Sequence, residues 1–95
     1  MEELQDFLFG IYTMLKLNHS NIWWNECEDS VYINYRKFPI LSIENPKSGG
    51  ELCVRVNSIP YYFFNDDVEF VKNKVLDKVE KVEEILLDLE RRYTL

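Results

Sequence analysis

Apolar positions along the chain keep two different rhythms. Leu4, Phe7, Leu8, Ile11 and Leu15 fall three and four residues apart, the stripe of an amphipathic helix, and predict one over residues 2–17. Glu2, Glu3 and Asp6 lie in its positive first turn and Lys16 in its negative last turn, in agreement with the helix dipole. Asn18 marks a stop. Gly10 interrupts the helix, which calls either for a close backbone approach or for simple tolerance.

Between Asn21 and Phe64 the period becomes two. Val31, Ile33 and Tyr35 alternate with Tyr32, Asn34 and Arg36. Leu41 and Ile43 alternate with Ser42 and Glu44, and Leu52, Val54 and Val56 with Glu51, Cys53, Arg55 and Asn57. Turn residues separate the runs at Glu28-Asp29-Ser30 and at 45–50, and Pro39 marks a bulge or bend. An antiparallel meander of three or four strands is the simplest account, with 59–64 as a short edge strand or an aromatic loop.

The helical period then returns over 66–93. Val68, Val71, Val75, Val79, Val82, Leu86, Leu89 and Tyr93 follow at steps of three and four behind Asn65, Asp66 and Asp67, a capping side chain backed by two anions. Asp77 with Lys81 and Asp88 with Arg92 are expected to pair four residues apart. Such a helix is about 42 Å long, whereas a compact domain of this size spans about 32 Å. The helix should therefore break or overhang the sheet. Ile85, Leu86 and Leu89 keep its far end apolar, so the first helix, a second copy or a foreign partner should cover them. The predicted architecture is a single α+β domain: helix, meander and long helix, with both helices on one face of the sheet.

Composition limits what this domain does. Ninety-five residues with 46% apolar and 15% aromatic content support one modest core. The two cysteines lie 26 residues apart without metal-ligand spacing and read as free thiols. The acidic start Met1-Glu2-Glu3 is unlike a targeting peptide, and no apolar run approaches a membrane span, so a soluble cytoplasmic chain is expected. A net charge of −6 disfavours nucleic acid and anionic membranes and favours basic partners. Alanine is absent, while Asn, Ile, Lys, Tyr and Phe supply 34 of the 95 residues, the mark of an AT-rich coding sequence such as a low-GC bacterium, a phage or a plasmid.

Candidate chemistry concentrates in residues 18–29, NHSNIWWNECED. Cys27 stands among Glu26, Glu28 and Asp29, and neighbouring negative charge opposes a thiolate nucleophile with His19 as base. A metal site would need Cys53 or distant carboxylates beside His19 and Cys27. Helix capping accounts for Asp66, Asp67 and Glu69 without a metal. No phosphate loop, nucleophile elbow or metalloprotease motif occurs, so neither catalysis nor a cofactor is expected.

The tryptophans say more. On a strand, Trp23 and Trp24 must point to opposite faces. With Ile22 and Trp24 inward, Trp23 joins Tyr32, Arg36 and Arg55 on the wet face, covered by 59–64 or the second helix, or else free to anchor a partner. A second candidate surface is an acidic ridge on the long helix, formed by Asp77, Glu80, Glu84 and Asp88 with Glu83 and Glu90 beside it.

The leading expectation is a small acidic interaction protein, a stoichiometric inhibitor or immunity-type factor of a mobile element. Its ridge would imitate nucleic acid or clamp a basic, nucleic-acid-handling protein. The alternatives are a homodimer paired through Ile85, Leu86 and Leu89, and a single-strand nucleic-acid binder using the aromatic face.

Overall fold

The computed structural model describes residues 2–45, 51–64 and 67–93. A helix α1 (Glu2–Lys16) leads into five strands, β1 (Ile22–Cys27), β2 (Ser30–Tyr35), β3 (Phe38–Glu44), β4 (Glu51–Val56) and β5 (Ile59–Phe64), and a helix α2 (Val68–Tyr93) ends the chain. Residues 59–64 are thus a full strand, which makes the sheet five-stranded, in the order β1-β2-β3-β4-β5 with every pair antiparallel. Helix α2 starts at Val68, two residues later than a cap at Asn65 implies, with the Asp67 carbonyl accepting the Val71 N–H at 3.0 Å. Asn65 and Asp66 themselves lie outside the described residues.

Six successive reversals of direction separate the helices, so they run parallel. Two cross-links confirm it. Glu3 meets Lys72 at their N-terminal ends, with Oε2 and Nζ 2.6 Å apart, and His19 just beyond α1 meets Glu90 near the C-terminus of α2. Both helices lie on one face, α1 against β1 and β2 and α2 against β3 and β4. The strand alternation delivers the matching inner rows: Trp24, Ile33, Leu41, Val56 and Ile59 stand across the sheet from one another, and Val31, Ile43, Val54 and Tyr61 form the next row. These pack with Leu4, Leu8, Ile11 and Leu15 of α1 and Val71, Val75, Val82 and Leu86 of α2 into one core.

Local chemistry sets the connections. Asn57 and Ser58 both adopt left-handed backbone, φ 50° and 74°, the geometry of a two-residue hairpin turn whose twist matches the strands. Pro39 pairs with Asn34 where the β2–β3 register slips, leaving Ile40 as the extra residue of a bulge. The end of α1 is closed by the N–H groups of Leu17, Asn18 and His19, which donate to the Met14 and Leu15 carbonyls, and Lys16 Nζ ties the connection to β1 by donating to the carbonyls of Ser20 and Ile22. Gly10 resolves in favour of tolerance, because a Cβ added there meets nothing within 4 Å.

Helix α2 neither breaks nor projects bare. Its 26 residues make a rod of about 39 Å, and the molecule is itself elongated, 43 × 22 × 21 Å. At the far end Leu86 is wholly buried, while Tyr93 packs on Tyr35 and Phe38 with ring centroids 6.4 and 6.0 Å away. The residues flanking the β2–β3 turn therefore cover Tyr93 and close the last turn of the helix, while Ile85 and Leu89 stay half-buried.

Candidate binding surfaces

The acidic ridge and the apolar helix end prove to be parts of one feature. Helix α2 sits over β3 and β4 while the sheet continues to β5, and this offset opens a groove between helix and strand. Val56, Ile59, Tyr61 and Ile85 line its first stretch, of about 420 Å³, together with Asp77, Glu80 and Glu84. It continues past Asn57, Lys81, Glu84 and Ile85 into a stretch of about 570 Å³ that reaches Asp88, Leu89, Phe38 and Tyr93. The groove thus has an apolar floor and a charged rim on which the carboxylates of Asp77, Glu80, Glu84 and Asp88 alternate with Lys78, Lys81 and Arg92. Glu83 does not line it.

The rim is only partly neutralised. Lys81 turns to Glu84 at 3.7 Å, so the expected pair with Asp77 does not form; Arg92 does reach Asp88, at 3.1 Å. Lys74 and Lys78 both lie over the Tyr61 ring, 5.0 and 5.2 Å from its centroid. Asp77 and Glu80 have no cationic partner among the described residues. Ile85 and Leu89 are half-buried in the groove wall, whereas Leu86 belongs to the core and offers nothing to a second chain.

The outer face of the sheet carries neither helix. Trp23 stands on it 45% exposed, far from β5 and on the side away from α2, so neither of its expected covers reaches it. Its indole N–H donates to the Arg36 carbonyl at 2.8 Å. Trp24 points inward, edge-on to Phe9 at 5.1 Å and beside Tyr12 at 5.7 Å. Next to Trp23 on β2, Asn34 is only 6% exposed between the indole and Pro39, and its Nδ2 has no hydrogen-bond partner.

Arg36 leaves this face. The alternation that put it beside Trp23 ends at Tyr35, and Arg36 occupies the β2–β3 turn with φ 54°. Its guanidinium lies 5.0 Å from the Tyr93 ring centroid and donates to the Tyr93 carbonyl. Tyr32 and Arg55 remain on the face, but both are drawn to Glu44, the hydroxyl to Oε1 at 3.3 Å and the guanidinium to Oε2 at 3.1 Å. That hydrogen bond raises the Arg55 pKa. A carboxylate at the β3 end of the face and one committed arginine disfavour a phosphate backbone there. Glu44 was legible only as a wet-face residue, because its role needs the β2–β3–β4 register.

The histidine and the cysteines separate. His19 precedes β1 and Cys27 ends it, and at about 3.3 Å per residue the strand holds them well beyond reach of each other. His19 is buried and its Nδ1 meets Glu90. Cys53 is buried on the outer face, where burial pushes its thiol pKa up, away from thiolate chemistry. Among the described residues no three His, Cys, Asp or Glu side chains converge as a metal would require, and no helix is long and apolar enough to cross a membrane. Comparison with protein families, curated proteins and solved structures found no match to this chain.

Proposed function

We propose that this chain is a protein-binding module whose working surface is the groove between α2 and β5. The carrying observation is the combination within that groove of an apolar floor, Val56, Ile59, Ile85 and Leu89, with a rim on which Asp77 and Glu80 lack cations of their own. Such a groove suits a partner segment with apolar anchors and flanking Lys or Arg, since apolar burial supplies affinity and the rim supplies steering and register. A net charge of −6 acts in the same direction over longer range. The reading extends to a stoichiometric inhibitor or immunity-type factor directed at a basic, nucleic-acid-handling protein.

The test is affinity capture from cells of the native host, comparing the natural chain with Asp77→Lys/Glu80→Lys/Glu84→Lys. These side chains are on the solvent side of α2, so the variant should fold. A basic protein retained by the natural chain and lost by the variant is expected. Equal capture of every partner by both chains would overturn the proposal.

A further inference from the structure

We infer that β5 is a self-complementary edge through which two copies of this chain pair, joining their sheets into one of ten strands. The two edges of the sheet differ in how they are guarded. Strand β1 carries Glu26 and runs into Glu28 and Asp29, the charged residues that usually keep an edge from pairing. From Val56 to Phe64 there is no charged residue, and Ile59, Tyr62 and Phe64 are exposed, the last two 60% and 69%.

The backbone pattern makes the edge specific. The two-residue turn places Val56 and Ile59 as a hydrogen-bonded pair, so Tyr61 and Phe63 also direct their backbone groups toward β4. Pro60, Tyr62 and Phe64 direct theirs outward. Two of the outward groups are already spoken for: Pro60 has no N–H, and the Phe64 carbonyl accepts the Asp67 N–H at 3.1 Å. What is left open is the Pro60 carbonyl, both groups of Tyr62, and the Phe64 N–H.

These remaining groups match a second copy in one antiparallel register, with the twofold axis at Tyr62. Tyr62 then exchanges both bonds with Tyr62 of the second copy, and each Phe64 N–H donates to the other copy's Pro60 carbonyl. The donor that Pro60 lacks falls opposite the carbonyl that Asp67 already occupies. Any other outward register aligns fewer of these groups. On the outer face the two Tyr62 rings meet across the axis and each Phe64 lies against a Pro60, covering the most exposed apolar side chains of the strand. The uncharged edge is also where two chains of net charge −6 approach at least electrostatic cost. One strand pair buries less than the roughly 1,200 Å² of a stable interface, so the dimer should be weak and strengthen with salt.

Sedimentation velocity from micromolar to millimolar concentration tests this, with circular dichroism checking the fold. The natural chain should move from monomer toward dimer over that range. Tyr62→Lys sets two ammonium groups together at the axis on an already exposed side chain. Tyr62→Pro deletes only an outward N–H, leaving the β4–β5 bonds intact. Each should shift the dissociation constant at least tenfold toward monomer, and Tyr62→Lys alone suffices should the proline variant misfold. A natural chain that stays monomeric throughout, or a folded Tyr62→Lys that dimerises as tightly, would overturn the inference.

Discussion

His19 Nδ1 lies 2.5 Å from Glu90 Oε1, joining residues 71 positions apart. The contact pins the loop after α1 to the last turns of α2, at the opposite end of the helix pair from the Glu3–Lys72 bridge. A histidine that invited a catalytic reading is a structural tie. His19→Ala should destabilise the fold by about 1.5–3 kcal/mol, the range for a hydrogen bond to a charged group. Glu90→Gln should cost less, since an amide still accepts the bond. Urea unfolding of the two variants and their double mutant measures the coupling directly.

Gly10 is exposed in the middle of α1 with open space where a side chain would stand. Gly10→Ala should stabilise the protein by about 0.5–1 kcal/mol through the reduced entropy of the unfolded chain. Thermal unfolding would show it as a melting temperature higher by a few degrees.

The Glu3–Lys72 bridge gives a pH-dependent signal. The Lys72 hydrogen bond and charge lower the Glu3 pKa from its ordinary 4.5, and the Glu3 hydrogen bond raises that of Lys72 from 10.5. A depressed carboxylate contributes stability that is present above 4.5 and lost as pH falls through the folded value. A raised ammonium contributes stability that is present below 10.5 and lost as pH rises through its folded value. The stability difference between the natural chain and Lys72→Gln should therefore be greatest between those limits and shrink on both sides. Added salt should also shrink it, because the bridge is on the surface.

Single-tryptophan variants separate the two indoles. With Trp24→Phe, the remaining Trp23 should emit at long wavelength and be quenched by acrylamide. With Trp23→Phe, the remaining Trp24, packed on Phe9 and Tyr12, should emit to the blue and resist quenching. Trp24→Ala should cost about 2 kcal/mol or more, and Trp23→Ala much less.

The Tyr35 hydroxyl is buried without a hydrogen-bond partner. Tyr35→Phe removes a desolvated polar atom and keeps the ring, so it should be neutral or stabilising by about 1 kcal/mol. Chemical denaturation reads this out, and a loss above about 1 kcal/mol would show that the hydroxyl is satisfied in solution.

What the sequence by itself determined was local and periodic. The stripe from Leu4 to Leu15, the alternation from Val31 to Val56 and the run from Val68 to Tyr93 each bury one face, and a face that must be buried shows in the spacing of its apolar residues. That sufficed for the α+β class, for both helices on one side, and for Trp23 and Trp24 facing apart. It did not suffice for residues 59–64, where Ile-Pro-Tyr-Tyr-Phe-Phe has no polar residue to mark a wet face, so only pairing with β4 reveals a strand. Nor did it place Arg36, because a tight turn ends the alternation without changing residue type.

Only the tertiary structure decided what lies opposite what. Glu44 gathers Tyr32 and Arg55, His19 finds Glu90, and Tyr93 closes over Phe38 because register and helix direction bring distant residues together. The acidic ridge was visible as a spacing along one helix. That it rims a groove depends on α2 lying over β3 and β4 with β5 left beyond it, a relation between elements that no single segment encodes.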